Sequence, residues 1–280
     1  MSQTDPFKIR DHVPDFDAVA AGHKVASNAA RAKLRSQLDV AYGAGERETL
    51  DLFFPPALDG PLPVHIFVHG GYWRANIKED FAFVAETVAA SGAIAAIVEY
   101  GLMPGLRMPQ IVDQVRRAAA FVHDQAHEFG GDPAAISASG HSAGAHLASY
   151  LAAKAPHEHD PHATPIRSLL LVSGIYDLRP IANSFLQPEI GLTPQEVADW
   201  SPFEAQQATE TRITLAVGHD ETEPFHIQAQ DLVFAAQKRG ATIERVTVPG
   251  LNHVTMARDL GVPGTATAEL LAQCIAQSRG

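Results

Sequence analysis

A serine between two glycines is the arrangement in this chain that most clearly suggests chemistry. Ser142 lies in Gly140-His141-Ser142-Ala143-Gly144, after the β-like run Ala135 to Ser139 and before an alanine-rich run without proline. A sharp strand-to-helix turn exposes a serine hydroxyl, and it needs small residues on either side because larger ones would clash with neighbouring backbone. The pattern therefore predicts a nucleophilic serine at the end of a strand.

A neutral serine hydroxyl needs a base within hydrogen-bond reach and an acid that orients the base. His253 follows the strand-like segment 243–248 and is the predicted base. Asp220 follows the strand-like segment 213–217 and is the predicted acid, with Asp177 as its main alternative. The chain order of serine, acid and histidine is the one expected when the serine occupies such a turn.

Attack on a carbonyl creates a negatively charged oxygen, which backbone N–H groups can stabilise. Gly70 and Gly71 follow the apolar strand 64–68 and carry no side chain that would obstruct their amides. We predict that these glycines and the amide of Ala143 form the oxyanion hole.

Aromatic side chains near these positions could bind a flat substrate. Tyr72 and Trp73 directly follow the glycine pair, and Tyr100 ends another predicted strand. We name all three as candidate substrate-binding residues. Packing in the core is the open alternative for each of them.

These residues require a scaffold that brings distant segments together. An N-terminal helix is predicted over 16–38, followed by a turn at 42–45. Strand-like segments cover 49–54, 64–68, 93–98, 136–139, 169–173, 213–217 and 243–248, and helical patterns cover 79–90, 110–129, 143–154 and 226–238. This alternation predicts an α/β fold with a mostly parallel sheet and helices on both faces, where the carboxyl ends of the strands carry the chemistry.

Length and composition favour one domain over 1–280, with 1–45 as an N-terminal helical extension and about 181–202 as a cap segment. The net charge of −11 argues against nucleic acid or an anionic membrane as a partner. The N-terminus lacks a signal-peptide pattern, so a cytoplasmic location is expected. A small molecule is the expected partner, and a homodimer is left open. Cys274 is the only cysteine and is expected to be a small buried hydrophobe.

No cofactor is expected. His157, His159 and His162 cluster in one predicted loop, but no cysteine or close carboxylate completes a catalytic zinc site. We interpret the cluster as a solvated loop and expect no metal.

Several motifs together resemble a known family. His69-Gly70-Gly71-Tyr72-Trp73, the segment Gly140 to Leu147 and Ser173-Gly174-Ile175-Tyr176-Asp177-Leu178 are similar to the kynurenine formamidase (arylformamidase) branch of the α/β-hydrolases. The similarity extends from about Tyr42 to His253. The first two elements also occur in hormone-sensitive-lipase-like esterases, whereas the third and the run from Gly218 to His226 favour the formamidase branch.

The resemblance implies an α/β-hydrolase fold and hydrolysis of an N-formyl aromatic amide such as N-formylkynurenine. It implies a triad of Ser142, Asp220 and His253, and it favours Asp220 over Asp177. One departure is that Leu251-Asn252 precedes the histidine, where family members often have an aspartate. A carboxylesterase for short-chain esters is the alternative function, and a binding module that has lost activity is a third.

Overall fold

Within the part of the chain that the structure describes, the fold is built on a sheet of eight strands. The computed structural model describes residues 4–57, 60–159, 161 and 163–279, so His162 lies outside the described residues. The strands are β1 (Arg35–Ala41), β2 (Thr49–Phe54), β3 (Leu62–Val68), β4 (Ile94–Val98), β5 (Gly131–His141), β6 (Ala153–Lys154), β7 (Ser168–Val172), β8 (Gln206–Gln207), β9 (Arg212–Gly218) and β10 (Thr242–Val248). The short strands β6 and β8 form a separate antiparallel pair.

The order of strands in the large sheet is β1-β2-β4-β3-β5-β7-β9-β10. The pairs from β4 to β10 are parallel, and β1 and β2 add an antiparallel edge. Parallel neighbours need crossover connections, which the helices provide. The predicted α/β fold with a mostly parallel sheet is therefore confirmed.

The helices connect and cover these strands. The α-helices are α1 (Phe16–Lys33), α2 (Ala85–Ala90), α3 (Met108–Gln125), α4 (Ala143–Ser149), α5 (Leu178–Ile181), α6 (Gln187–Ile190), α7 (Pro194–Asp199), α8 (Glu223–Lys238), α9 (His253–Asp259) and α10 (Ala266–Gln277). Short 3₁₀ helices cover Ile9–Asp11, Lys78–Val84, Ala126–Phe129 and Pro202–Glu204. None of the described helices is both long and apolar enough to cross a membrane.

Each face of the sheet buries its own hydrophobic core, because successive side chains of a strand point to opposite faces. In β3, Ile66 packs in a core with residues of α3, α4 and α8, whereas Phe67 packs in a second core with residues of α2, α9 and α10. The prediction of helices on both faces is confirmed by this division. Cys274 is buried in the second core, as expected from its apolar surroundings.

The predicted N-terminal helix extends too far. The helix ends at Lys33, and residues 35–41 form the edge strand β1, which pairs with β2 in antiparallel register. Most residues of β1 are exposed, so the segment lacks the apolar signal of a buried strand. The predicted helix over 143–154 is also too long, since α4 ends at Ser149.

Two buried histidines make stability depend on pH. His65 in β3 contacts the hydroxyl groups of Ser137 (2.8 Å) and Ser139 (2.7 Å) on β5, and burial lowers its pKa to about 3. His146 in α4 contacts the Trp200 carbonyl oxygen at 2.7 Å, and burial lowers its pKa to about 4. Both rings are therefore neutral in the folded protein at neutral pH.

We expect the free energy of unfolding to fall as the pH drops below about 6.5. The unfolded chain takes up protons at the ordinary histidine pKa, roughly 6.5, whereas folded His65 and His146 resist protonation until pH 3 to 4. The stabilising contribution of each histidine is therefore fully present above the unfolded pKa. Below pH 6.5, each histidine lowers the free energy of unfolding by about 1.4 kcal/mol per pH unit. Urea unfolding at pH 7.5 and 5.0 measures the loss, and His146→Gln should reduce it. Equal stability at both pH values would contradict the expectation.

Candidate active site

Ser142 occupies a strained turn between β5 and α4. Its backbone has φ 57° and ψ −122°, a region that non-glycine residues rarely adopt. A Cβ atom on Gly140 would overlap the backbone of Gly144, and a Cβ atom on Gly144 would overlap the carbonyl groups of Val68 and His69. Both glycines are therefore required by close backbone packing, as the sequence pattern predicts. Ser142 itself is almost completely buried and lines a cavity.

His253 begins α9, and its imidazole is held by a buried carboxylate. The Nδ1 atom of His253 lies 2.8 Å from Oε2 of Glu221, and the Glu221 side chain has no exposed surface. The other carboxylate oxygen, Oε1, accepts hydrogen bonds from the Gly218 amide (2.7 Å) and the Ser173 hydroxyl (2.6 Å). With both oxygens engaged, the carboxylate is fixed, and Nδ1 of His253 carries the proton. The Nε2 atom is left to act as a base.

The structure corrects the predicted acid. Asp220 has a side chain that is 55% exposed and contacts His219 instead of His253. Asp177, the alternative, caps α5 and pairs with Arg179. The residue that sequence reasoning missed is Glu221, which follows Asp220 directly. The sequence already shows that a second carboxylate, Glu221, follows Asp220 directly. Since the acid after this strand can be glutamate as well as aspartate, Glu221 could have been named as a candidate.

The turn after β9 explains why Glu221 is the buried acid. The Glu221 amide donates to the Gly218 carbonyl, which closes a tight turn, and the Asp220 amide donates to the Leu251 carbonyl. A Cβ atom on Gly218 would overlap the Leu251 carbonyl, so this approach requires glycine. The turn directs Glu221 back toward the strand ends and leaves Asp220 in solvent.

The glycine loop after β3 lies beside the nucleophile. Gly70 and Gly71 line the same cavity as Ser142, and a Cβ atom on Gly70 would lie 2.8 Å from the His141 carbonyl oxygen. Gly71 has φ 125°, which disfavours any other residue. Ala143, the third predicted donor, is the first residue of α4 and is buried. The loop therefore brings backbone close to Ser142, as an oxyanion hole requires.

Of the three predicted substrate-binding aromatics, only Tyr72 lines the cavity. Trp73 and Tyr100 are fully buried and do not line it, so this prediction is wrong for both. Trp73 packs edge-on against His146. Tyr100 stacks on His69, and its hydroxyl donates to the His69 carbonyl oxygen at 2.7 Å. Tyr100 thus supports the glycine loop from behind.

The cavity has a volume of about 470 Å³, which suits a small organic substrate. The N-terminal segment contributes a large part of its wall, including Ile9, Phe16 and His23. From the other side, Tyr72 and Phe185 contribute aromatic surface, with their rings 6.0 Å apart. Phe185 belongs to the predicted cap segment, which forms short helices around it.

Hydrogen bonds attach the first residues of the N-terminal segment to the rest of the site. The Tyr72 hydroxyl donates to the Phe7 carbonyl oxygen, and the Thr222 hydroxyl donates to the Pro6 carbonyl oxygen at 2.9 Å. The Phe7 ring packs on Phe225, which in turn packs on His253 at 4.6 Å between ring centroids. The N-terminal segment is therefore part of the active-site wall.

His141 connects the nucleophile turn to the base. Its Nε2 atom lies 2.9 Å from the His253 carbonyl oxygen, and the two rings are 4.7 Å apart. Burial, together with the neighbouring imidazole of His253, holds the pKa of His141 well below its ordinary value. The neutral ring therefore donates Nε2–H to this carbonyl and helps to fix the start of α9.

A serine in a strained turn, a histidine with its carboxylate and a glycine loop all lie at the carboxyl ends of a mostly parallel sheet. This combination of fold and site defines an α/β-hydrolase enzyme.

Comparisons with known proteins agree with this class. The BD-FAE family model matches residues 50–184. The kynurenine formamidase of Danio rerio is 30% identical over 96% of this chain and 90% of its own length. The chain belongs to the kynurenine formamidase family. The esterase LipQ of Mycobacterium tuberculosis is 29% identical over 86% of this chain and 61% of its own length.

A solved structure matches nearly the whole molecule. A presumed thioesterase from Silicibacter sp. TM1040 superposes with a TM-score of 0.83, at 26% identity over 99% of each chain. Together with the relatives, this match supports a hydrolase that acts on an amide or ester bond.

Proposed function

We propose that this enzyme hydrolyses an N-formyl aromatic amide, such as N-formylkynurenine, to formate and the free aromatic amine. The observation that carries the proposal is the buried Glu221–His253 pair, 2.8 Å apart, on a cavity that also contains Ser142. Family membership favours the formyl amide as the substrate. The aromatic wall formed by Tyr72, Phe16 and Phe185 suits the aryl half.

In the proposed reaction, Nε2 of His253 takes the Ser142 hydroxyl proton while Oγ attacks the formyl carbon. The amides of Gly70, Gly71 and Ala143 stabilise the negative oxygen of the tetrahedral intermediate. His253 then returns the proton to the leaving amine nitrogen, and the C–N bond breaks. Water, activated by His253, hydrolyses the formyl-serine ester and releases formate. Throughout, Glu221 holds Nδ1–H and stabilises the imidazolium.

The second candidate is a carboxylesterase for short-chain esters, which the similarity to the M. tuberculosis esterase favours. An alkoxide leaves more easily than an amine, so the same residues would serve both reactions. A formyl group needs almost no acyl pocket, whereas a butyryl group needs a roomier one.

Purified enzyme assayed on N-formylkynurenine and on 4-nitrophenyl butyrate separates the two candidates. We expect formate release with kcat/KM at least about tenfold above that for the butyrate ester, an order-of-magnitude difference typical of a pocket that excludes added methylenes. The Ser142→Ala variant controls for contaminating activity. Efficient butyrate turnover without formate release would replace the first candidate with the second.

A further inference from the structure

Buried polar atoms normally have hydrogen-bond partners, so an unpartnered one in a cavity wall indicates a ligand. Among the described residues, the Nε atom of Arg74 and the Nε2 atom of His23 are shielded from solvent and lack a partner. Both residues line the active-site cavity. One comes from the loop that carries the catalytic glycines and the other from α1.

The guanidinium group of Arg74 is only partly engaged by protein acceptors. Its Nη1 atom pairs with Glu189 at 2.6 Å, and the Glu189 side chain is half exposed. A guanidinium group has five N–H donors in a planar fork and no acceptor. The unpartnered Nε–H therefore calls for an acceptor oxygen, and a carboxylate is the group that this fork matches best.

The charge of the cavity wall supports an anionic ligand. In a chain with net charge −11, the described wall has cationic side chains from Lys8, Arg10, Lys24 and Arg74, against the single carboxylate of Asp80. A cleft lined by one sign of charge concentrates ligands of the opposite sign. Each of these cations also pairs with a carboxylate, namely Asp11, Asp17, Asp80 and Glu189, so the unpartnered Nε–H of Arg74 is the stronger argument for a carboxylate ligand.

We propose that Arg74, assisted by His23, binds a carboxylate on the aromatic half of the substrate and thereby selects acidic aryl amides over uncharged ones. Burial lowers the pKa of His23, so its ring is neutral at neutral pH and its N–H can donate to a ligand oxygen. This inference rests on the proposed function for its choice of formyl substrates. It assigns Arg74 as a specificity-determining residue.

The test compares 4-(2-formamidophenyl)-4-oxobutanoate, which is N-formylkynurenine without its ammonium group, with 2-formamidoacetophenone, the same aryl ketone without the chain that bears the carboxylate. For Arg74→Gln, kcat/KM on the oxobutanoate should fall about 10- to 100-fold, mainly through KM, because a charge-assisted hydrogen bond is lost. On the uncharged ketone it should change less than about twofold, as expected when no partner is removed.

Lys8→Gln is the matched control, because it removes the same charge from the same wall while the Lys8 ammonium already pairs with Asp11. It should lower kcat/KM on the carboxylate substrate by no more than about twofold, which separates the hydrogen bond of Arg74 from the general charge of the wall. Glu189→Gln, a change at a half-exposed residue, releases Arg74 and should preserve or strengthen the preference for the carboxylate. This second variant tests the proposal even if Arg74→Gln fails to fold.

Equal losses on both substrates for Arg74→Gln, or a wild-type enzyme without preference, would overturn the inference. Failure of the proposed function has a different signature, namely no formate from either amide. In that case 4-acetoxybenzoate and phenyl acetate provide the same comparison of charged and uncharged aryl groups on esters. A loss confined to 4-acetoxybenzoate would uphold the role of Arg74, and equal effects would refute it.

Discussion

Replacing Ser142 with alanine is expected to lower kcat by about 10⁴- to 10⁶-fold, because members of a catalytic triad act as a unit. The variant lacks the oxygen that attacks the carbonyl, and no other described hydroxyl takes its place in the turn between β5 and α4. Steady-state formate release, measured with enough enzyme to detect a 10⁶-fold loss, gives the result. Activity within tenfold of wild type would refute Ser142 as the nucleophile.

The free energy of unfolding of the Ser142 variants distinguishes loss of the nucleophile from loss of the folded structure. Alanine keeps the strained backbone at φ 57°, so the free energy of unfolding should change little. Glycine adopts positive φ without strain, and Ser142→Gly should therefore be more stable by about 1 kcal/mol while equally inactive. A variant that gains stability while it loses activity is the expected result when a strained backbone conformation is required for catalysis. Urea unfolding of both variants measures this.

Replacing Glu221 with glutamine is expected to lower kcat by about 10² to 10⁴, with little change in KM. The glutamine carbonyl oxygen can still accept hydrogen bonds from Gly218 and Ser173, so the turn after β9 should survive. The amide NH₂ group then faces Nδ1 of His253 and favours the tautomer with its proton on Nε2. That tautomer cannot accept the Ser142 proton.

Asp220→Asn is the matched control for Glu221→Gln. It makes the same carboxylate-to-amide change one residue away, on a side chain that is 55% exposed and contacts His219. Its kcat should stay within about threefold of wild type, since exposed substitutions away from a functional contact have small effects. A large loss for Asp220→Asn with normal activity for Glu221→Gln would restore the original assignment of Asp220.

Several features of the site could be read from residue types and spacing alone. The two glycines around Ser142 are predictable because their backbone packs too closely for any side chain. The alternation of strand and helix patterns predicts the parallel sheet, since burial on both faces makes each strand a continuous apolar run. His253 is predictable as a residue that follows the last strand of that sheet.

Other features depend on contacts between segments that are distant in the sequence. Tyr100 and Trp73 have the same residue types as substrate-binding aromatics, but the packing of His69 and His146 against them places both in the core. The edge strand β1 forms because β2 offers an unpaired edge, although its own residues are mostly exposed.

The sequence by itself therefore determined the fold class, through the period of its hydrophobic residues, and it marked the nucleophile turn and the glycine loop, because both leave out side chains where backbone segments pack closely. Only the tertiary structure decided between the neighbouring acids Asp220 and Glu221. Both follow the same strand, and the direction of each side chain depends on how the turn after β9 packs against Leu251. The same holds for the N-terminal segment, which joins the cavity wall through contacts with Tyr72 and Thr222 more than sixty residues away.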